Sequence, residues 1–235
     1  MFSVLLVLLV LGTVAGNSAW LFQSEDKWDK QWAMGQWAYM DTVPIERSKV
    51  AVVGVLADMY ANASSESISM GVLDVGCGEG SLSDFLPKKL RDGYVGTDIS
   101  KEAILAARRK RPTVKFVHSA AHKFKPKNGR KFQVITFADM LYYYMKDHRS
   151  LLQQYSEYLT DNGVLIISIF FTKEKSELYS NIWRDAADVF ERVDTIKIFG
   201  STRKMAHSTA VTETDTAFRI EVFRKKNIFT AKQTT

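Results

Sequence analysis

Three closely spaced glycines are the residues of this chain best suited to hold a ligand against the backbone. Gly76, Gly78 and Gly80 form a G-x-G-x-G pattern directly after a short apolar stretch, Val72–Val75. Glycine lets a ligand approach the backbone closely because it carries no side chain. Asp98 follows 22 residues after Gly76, at the end of a second strand-like stretch, where its carboxylate can accept hydrogen bonds from two ribose hydroxyls. The pattern predicts a nucleoside-binding crevice.

The spacing of the glycines favours one kind of nucleoside. Dinucleotide-binding turns use G-x-G-x-x-G, in which the N-terminus of a helix meets a pyrophosphate. Here the last glycine comes one residue earlier, and the Asp74 carboxylate beside the turn suits an ammonium group better than a diphosphate. S-adenosylmethionine has an ammonium, a sulfonium and a ribose, and it has no phosphate. The alternative is an ordinary strand-to-helix turn whose glycines serve geometry alone.

On these residues the chain resembles the class I S-adenosylmethionine-dependent methyltransferases of the small-molecule type, over roughly residues 28 to 225. The resemblance implies that S-adenosylmethionine is the cofactor. It also implies that the glycine loop and the ends of the first four strands contact it. The implied cofactor contacts are Asp74, Gly76, Cys77, Gly78, Gly80, Asp98, Ile99, Ser119, Ala120, Ala121, Phe137, Ala138 and Asp139.

Two positions depart from the pattern of this family. Ala120 stands where the family often has an aspartate that meets the adenine amine, and Gln133 stands where an aspartate commonly opens the fourth strand. Ser119, His122 or a backbone group could replace the first contact. His122 is equally an exposed member of a basic segment. These departures leave a non-catalytic binding domain open as an alternative.

The methyl acceptor is expected to meet the residues that follow the fourth strand. Tyr142 and Tyr143, with Tyr144, could orient an amine or stack on a ring, although a core aromatic cluster is the alternative. His207, in the loop over 200–217, is a candidate general base. No catalytic residue is assigned beyond these candidates, because transfer from a sulfonium often needs no dedicated base.

Aromatic residues are concentrated before the first helix of the domain, in a segment over 17–43. The resemblance implies that this segment is a lid that excludes water from the transfer. The alternative is a hydrophobic anchor that fastens the terminus to the sheet. The aromatic residues concerned are Trp28, Trp32, Trp37 and Tyr39.

The elements that must position these residues alternate between strand and helix. One helix is predicted over 44–60, because apolar residues recur there at helical spacing, with Lys49 among them: Ile45, Lys49, Val52, Val53, Leu56, Met59 and Tyr60. Another is predicted after the glycine loop, through Leu82, Phe85, Leu86 and Leu90, shortened or kinked by Pro87. Strands are predicted at 72–75, 94–99, 114–118, 132–137, 164–170, 195–199 and 218–223.

This alternation predicts an α/β fold with right-handed crossovers and a parallel sheet. The resemblance implies a Rossmann-like three-layer sandwich whose seven-stranded sheet is mostly parallel, with an antiparallel last strand. The catalytic domain is expected over 44–225, and 226–235 is a C-terminal tail.

The N-terminus predicts a targeting segment. Residues 2–11 are almost all aliphatic and small residues follow, which is typical of a signal peptide over 1–16 and predicts the secretory pathway. An uncleaved membrane anchor extended through 20–22 is the alternative, and membrane contact is expected only there. Cys77 is the only cysteine, so an intrachain disulfide and a cysteine-based metal site are excluded, and no metal is expected. A small filler beside the cofactor is favoured over a nucleophile.

The positive charge is concentrated in one segment. Residues 101–131 contain eleven lysines or arginines and one acidic residue, Glu102, while the whole chain carries a net charge of +6. Such a segment could attract an anionic partner, or it could be a solvated helix end with its loop. We therefore expect a methyltransferase acting on nitrogen or oxygen of a small molecule, with RNA or an acidic protein as the alternative acceptor. No RNA-binding module is appended, so no obligate nucleic acid is expected.

Overall fold

The computed structural model describes residues 24–62, 71–144, 148–170, 176–199 and 216–226. In these ranges the chain forms seven strands and six α-helices. The strands are β1 (Val72–Val75), β2 (Val95–Asp98), β3 (Lys115–His118), β4 (Phe132–Ala138), β5 (Leu159–Phe170), β6 (Phe190–Phe199) and β7 (Thr216–Lys225). The α-helices are α1 (Glu25–Ala33), α2 (Pro44–Asn62), α3 (Lys88–Arg91), α4 (Lys101–Lys110), α5 (His148–Ser156) and α6 (Ser176–Val189).

All seven strands join one sheet in the order β3-β2-β1-β4-β5-β7-β6. The first five strands pair in parallel, and β7 lies antiparallel between β5 and β6. The predicted α/β fold, with its mostly parallel sheet and antiparallel last strand, is confirmed. Because the chain reverses its direction of progress between β1 and β4, the carboxyl ends of these two strands open a crevice, which is where such sheets bind ligands.

Helices cover the two faces of the sheet with separate cores. On one face α2 and α4 pack, through residues such as Val53, Leu56 and Ile104, against apolar side chains of β1, β4, β5 and β7. On the other face α5 and α6 pack against the opposite side chains of the same strands. The alternation of side chains along each strand divides the apolar residues between these two layers. Met59, which the helical spacing places on the packed face of α2, is instead 60% exposed.

The segment after the glycine loop forms less helix than its apolar pattern predicts. A 3₁₀ turn covers Ser81–Phe85, Leu86 is extended with φ −88° and ψ 140°, and α3 spans only Lys88–Arg91. Pro87 explains the break, because a residue that precedes proline is disfavoured in the helical region. α4 is regular and begins at its predicted cap, where the Ser100 hydroxyl accepts a hydrogen bond from the Ala103 N–H at 3.1 Å.

β5 begins earlier than its apolar run predicts. The strand starts at Leu159 and includes Asn162 and Gly163, residues that are typical of a turn. Its pairing with β4 shifts register between Phe132 and Val134, so the extra residues are accommodated by an irregularity in the ladder.

Three predicted features fall outside the described residues: the targeting segment 1–16, the loop that contains His207, and the tail after Lys226. None of the helices in the described ranges combines the length and the apolar character that crossing a bilayer requires.

Candidate cofactor and acceptor site

The glycine loop folds back over the end of β2. The N–H groups of Gly76 and Cys77 both donate to the Thr97 carbonyl oxygen, at 2.8 and 3.0 Å. Gly76, Gly78 and Gly80 have φ values of 73°, 53° and 80°, a region that side chains other than glycine disfavour. A Cβ on Gly80 would lie 2.4 Å from the Phe116 ring. The loop therefore needs glycine both for its backbone conformation and for its packing.

Asp98 ends β2 and points at this loop. One carboxylate oxygen accepts the Gly78 N–H at 2.9 Å, and the other accepts the Ser100 N–H at 2.8 Å. The residue is 9% exposed, and burial raises the pKa of its carboxyl to about 6, although the two N–H groups oppose that rise. Each oxygen can accept a second hydrogen bond. A ribose that donates two hydroxyl groups at the glycine loop fits this arrangement.

Asp74 has a different environment from Asp98. It is 3% exposed, and its two carboxylate oxygens accept hydrogen bonds from the hydroxyls of Tyr94 and Thr136, each at 2.7 Å. Burial raises the pKa of its carboxyl, against these two hydrogen bonds. Asp74 thus braces β1 against β2 and β4 beneath the loop, and its contact with a cofactor ammonium stays a prediction.

The residues predicted to contact the adenine separate into two groups. Ser119 lies beside the ribose carboxylate, because its N–H donates to the Asp98 carbonyl at 2.9 Å, and Ile99 and Ala120 flank these two residues in the chain. Ala121, in contrast, is buried, and its carbonyl accepts the Tyr155 hydroxyl at 3.1 Å.

Two further predicted contacts have buried side chains. Phe137 is fully buried and packs edge-to-face on Tyr155, with their ring centroids 5.0 Å apart, so its side chain belongs to the core and only its backbone borders the crevice. Cys77 is buried as well, and burial raises the pKa of its thiol, which keeps the thiol protonated. Its packing beside Gly96 agrees with the filler interpretation.

Asp139, directly after β4, is part of a buried charged group that the sequence analysis missed. Lys49 of α2 donates to Glu46 at 2.8 Å and, by a shorter contact, to Asp139. Lys49 is 1% exposed and Glu46 is 6% exposed. Burial by itself would lower the pKa of Lys49, but the Asp139 and Glu46 charges outweigh it and raise that pKa. We call Glu46, Lys49 and Asp139 the buried triad; it contains two carboxylates and one ammonium.

The backbone of Asp139 is unusual as well. Its φ is 53°, it donates its N–H to the Ser168 carbonyl at 2.8 Å, and one carboxylate oxygen accepts the Phe170 N–H at 2.6 Å. The side chain of the next residue, Met140, lies against Gly76 of the glycine loop, since a Cβ on that glycine would come within 2.9 Å of it. Asp139 therefore sits where the glycine loop meets the end of β4. The sequence feature that could have revealed the buried triad is the pair of charged residues, Glu46 and Lys49, on the packed face of α2.

The tyrosines after β4 lie in an aromatic cluster that opens towards α1. Tyr142 contacts Tyr143 at a ring-centroid distance of 4.5 Å and Tyr179 of α6 at 5.5 Å, and Trp28 of α1 meets Tyr143 edge-on at 4.8 Å. Tyr142 and Tyr143 are half-buried. Burial, above all, raises the pKa of Tyr143 to about 12 and raises the pKa of Tyr142 well above its ordinary value, so both hydroxyls stay protonated at neutral pH. They can donate hydrogen bonds or offer ring faces, and they are unsuited to act as bases.

α1 docks on the cofactor end of the crevice. One oxygen of Asp29 accepts the Ser100 hydroxyl at 2.6 Å and the Glu102 N–H at 3.2 Å, next to the ribose carboxylate. The Trp32 ring lies against the glycine loop, because a Cβ on Gly78 would be 3.0 Å from it. Lys110 joins Asp41, after α1, to Glu79 of the loop. The aromatic segment therefore covers the loop, which is the geometry that a lid requires.

The basic segment 101–131 is partly engaged in bonds within the protein. Besides Lys110, the arginines and lysines that bond to other parts of the chain are Arg108 (Phe116 carbonyl), Arg111 (Asp84 and the Glu79 carbonyl), Arg130 (Gly93 carbonyl) and Lys131 (Glu157 carbonyl). Lys123, Lys125 and Lys127 are exposed. An anionic partner at this segment stays a prediction. In the part of the chain that the structure describes, no group of three or more His, Cys, Asp or Glu residues could hold a metal ion.

Comparison with known proteins agrees with this geometry. Residues 72–163 match a family model described as a methyltransferase domain. Trans-aconitate 2-methyltransferase of Rhodopseudomonas palustris is 28% identical over 99 residues, which are 42% of this chain and 38% of that protein. The ubiquinone biosynthesis O-methyltransferase of Aliivibrio fischeri strain MJ11 is 29% identical over 113 residues, covering 46% and 47% of the two chains. The chain thus spans less than half the length of these curated relatives.

Solved structures extend the likeness of the fold beyond the matched domain. The N-methyltransferase NodS of Bradyrhizobium japonicum, solved with S-adenosyl-L-homocysteine, has a TM-score of 0.61 at 16% identity and covers 80% of this chain and 91% of its own. An S-adenosylmethionine-dependent methyltransferase of Clostridium acetobutylicum has a TM-score of 0.60 at 13% identity, covering 86% and 100%. At these identities the likeness concerns the fold, and the fold is the Rossmann-like fold of class I methyltransferases.

Proposed function

We propose that this chain, whose residues 72–163 form a methyltransferase domain on the class I fold, is an S-adenosylmethionine-dependent methyltransferase that acts on a nitrogen or oxygen of a small molecule. The observation that carries the proposal is the Asp98 carboxylate, which is bonded to the Gly78 N–H of the glycine loop at the switch point of the sheet. A carboxylate at the end of the second strand is the group that recognises a ribose in nucleoside-binding folds of this topology.

The chemistry asks little of the protein beyond positioning. When bound, the cofactor supplies a methyl group that its sulfonium already activates, so the protein has to bind, align and exclude water. Asp98 and the glycine loop would hold the nucleoside, and Asp139 borders the loop where β4 ends. α1 covers the loop through Trp32 and Asp29, which supports exclusion of water during the transfer.

Calorimetric titration of the full chain tests the cofactor part of the proposal. S-adenosylhomocysteine should bind with one site per chain, and NAD, which carries a diphosphate, should bind far more weakly because a carboxylate-lined turn disfavours phosphate. Equal affinity for S-adenosylhomocysteine and NAD, or no binding of S-adenosylhomocysteine, would contradict the proposal.

The kind of acceptor is tested by following a radiolabelled methyl group. The full chain is incubated with labelled S-adenosylmethionine and an extract of the cells that make it, and small molecules are then separated from protein and nucleic acid. We expect label in the small-molecule fraction. Label confined to RNA or protein would support the alternative acceptors instead.

The place of this enzyme in the cell is a separate proposal. The apolar stretch over 2–11 and the small residues after it support a signal peptide over 1–16 and entry into the secretory pathway. Mass spectrometry of the mature protein, purified from a secreting cell, should find an N-terminus near residue 17. An intact N-terminus in the membrane fraction would favour the anchor instead.

A further inference from the structure

Aromatic rings from three separate parts of the chain pack together beside the turn that follows β4. They lie close to one another: the ring centroids of Trp28 and Trp37 are 5.5 Å apart, and those of Trp37 and Tyr39 are 6.1 Å apart. Trp28 also joins the lid to Tyr143, as described above. We call this set the aromatic wall; its members are Trp28, Trp37, Tyr39, Tyr142, Tyr143 and Tyr179.

The buried triad lies next to the aromatic wall. Tyr142 and Tyr143 follow Asp139 in a 3₁₀ turn over Leu141–Tyr144, and the Tyr143 N–H donates to the Met140 carbonyl at 3.0 Å. The Tyr39 carbonyl accepts the Val43 N–H at 2.8 Å, directly before the helix that carries Glu46 and Lys49. In agreement with this placement, burial and then the Asp139 charge raise the pKa of Tyr179.

With both carboxylates ionised, the single ammonium of Lys49 leaves the triad with a net charge of −1, although burial raises the pKa of Glu46. In the described ranges the ion pairs of Glu46 and Asp139 are those with Lys49, so among these residues the aromatic wall adjoins a net negative charge.

Rings and a net negative charge select the same kind of ligand. The face of an aromatic ring attracts cations, by about 0.5–2 kcal/mol depending on solvation. A net charge of −1 in a partly desolvated site attracts a cation and repels an anion. A neutral hydroxyl gains from neither interaction, and a carboxylate loses from both.

We propose, as an extension of the function proposed above, that the methyl acceptor is a small-molecule amine, held as a cation between the aromatic wall and the buried triad and methylated on its nitrogen. The ammonium first loses one proton to water, and the nitrogen lone pair then forms the C–N bond. The C–S bond breaks, its electron pair stays on sulfur as the neutral thioether, and the positive charge moves to the methylated nitrogen.

This acceptor class differs from that named for the relative in Rhodopseudomonas palustris, a trans-aconitate methyltransferase. The family match covers residues 72–163, and most of the aromatic wall and two members of the triad lie outside it. Most of the residues that would select the acceptor therefore lie outside the matched methyltransferase domain.

The first test compares three compounds that share one aromatic body: 2-phenylethylamine, 2-phenylethanol and 3-phenylpropionate. Each is titrated by calorimetry into the full chain saturated with S-adenosylhomocysteine. The amine should bind at least about tenfold more tightly than either of the others, which corresponds to about 1.4 kcal/mol. If the amine binds no better than the alcohol or the acid, the proposal is overturned. Binding of S-adenosylhomocysteine is measured first. If it does not bind, the proposed function fails, and this result is distinct from a lack of preference for the amine.

The second test changes the charge of the triad. Glu46→Gln brings its net charge to zero, and we expect the preference for the amine over the alcohol to fall about tenfold. Glu46→Gln combined with Lys49→Met returns the net charge to −1, and the preference should recover. Asp92→Asn, an exposed aspartate that pairs with Lys88, is the control and should leave the preference unchanged.

Recovery in the double variant separates a charge effect from a packing effect. A merely structural role of the triad would make the double variant worse than the single one, because two buried side chains are altered, and that result would overturn the role of the triad. Thermal melting confirms that each variant is folded. Should Glu46→Gln fail to fold, the comparison of the amine with the alcohol and the acid in the wild-type chain decides the proposal.

Discussion

The cofactor end and the acceptor end of the crevice are assembled from very different stretches of chain. The proposed cofactor end, from β1 to Asp98, is formed by the 27 consecutive residues 72–98, and the groups it offers are mostly glycine backbone and one carboxylate. The acceptor end takes side chains from α1, α2, the turn after β4 and α6. A cofactor of fixed structure can be held by one short local motif, whereas an acceptor pocket depends on side chains that only the fold brings together.

The largest effect should come from a glycine of the cofactor end. Gly80→Ala places a Cβ 2.4 Å from the Phe116 ring at a φ of 80°, so we expect a loss of about 3 kcal/mol in the free energy of unfolding. Gly129 has a φ of 65°, and a Cβ added there would meet nothing within 4 Å, so Gly129→Ala should lose only about 1 kcal/mol. Urea denaturation of the two variants measures both. Equal losses would show that packing at the loop is unimportant.

The next effect concerns the ribose carboxylate. Asp98→Ala removes the acceptor for two ribose hydroxyls and for the Gly78 N–H, so S-adenosylhomocysteine should bind about 100-fold more weakly. Asp92→Ala removes an aspartate that is exposed and pairs with Lys88 outside the loop, and it should not change the affinity. Calorimetry on the full chain measures both variants. Wild-type affinity in Asp98→Ala would contradict the assignment of the ribose site.

The pH dependence of binding sharpens the same assignment. Because the pKa of Asp98 is raised from 3.8 to about 6, the carboxylate that a ribose needs is lost as the pH falls through about 6. Affinity for S-adenosylhomocysteine should then fall by about tenfold per pH unit below that point and be flat above it. Asp98→Asn should bind weakly and without this dependence. A flat wild-type profile between pH 5 and pH 7 would contradict the prediction.

The free energy of unfolding should change with pH in the direction opposite to the affinity for S-adenosylhomocysteine. A carboxyl whose pKa is higher in the folded chain than in the unfolded chain stabilises the fold at low pH, and this contribution is lost as the pH rises from 3.8 to about 6. The free energy of unfolding of Asp98→Asn, compared with that of the wild-type chain at the same pH, should therefore be higher at pH 7 than at pH 4.

A smaller effect should follow from loosening the lid, which connects the two ends. Asp29→Ala removes the acceptor for the Ser100 hydroxyl and the Glu102 N–H, at a cost of about 1 kcal/mol to the docking of α1. Hydrogen exchange of α1 should become about fivefold faster, and affinity for the acceptor should fall more than affinity for S-adenosylhomocysteine. Asp26→Ala, at an exposed position of the same helix, is the control. Unchanged exchange would mean that Asp29 does not hold the lid.

The smallest effect is expected in the basic segment, away from both ends. Lys125 and Lys127 are exposed, so replacing both with alanine should leave cofactor binding and methyl transfer unchanged. Lys110→Ala should weaken the lid, because Lys110 joins Asp41 to Glu79 of the glycine loop. Polynucleotide binding that is steeply salt-dependent, and lost in the double lysine variant, would instead support an anionic partner.

The cofactor end could be predicted because its determinants are local. The glycine spacing, Asp98 and the Ser100 cap all lie within the stretch 76–100, and each appears in the structure where the pattern placed it. The side chain of Phe137 could not be placed in the same way, since the face on which a strand residue lies depends on what packs there, and it packs on Tyr155 in the core. Ala121 begins a short 3₁₀ turn and is buried as well.

The sequence by itself determined the class of fold and the position of the switch point, because periodicity and glycine spacing are properties of neighbouring residues, and it placed Asp98 beside the glycine loop. The spacing of Lys49 shows only that it lies on the packed face of α2. Its contact with Asp139, 90 residues further along the chain, was decided by the tertiary structure. A buried ammonium needs carboxylate partners, and which carboxylates supply them depends on how α2 and β4 pack. The charge beside the aromatic wall, on which the proposed preference for an amine depends, is set by that packing.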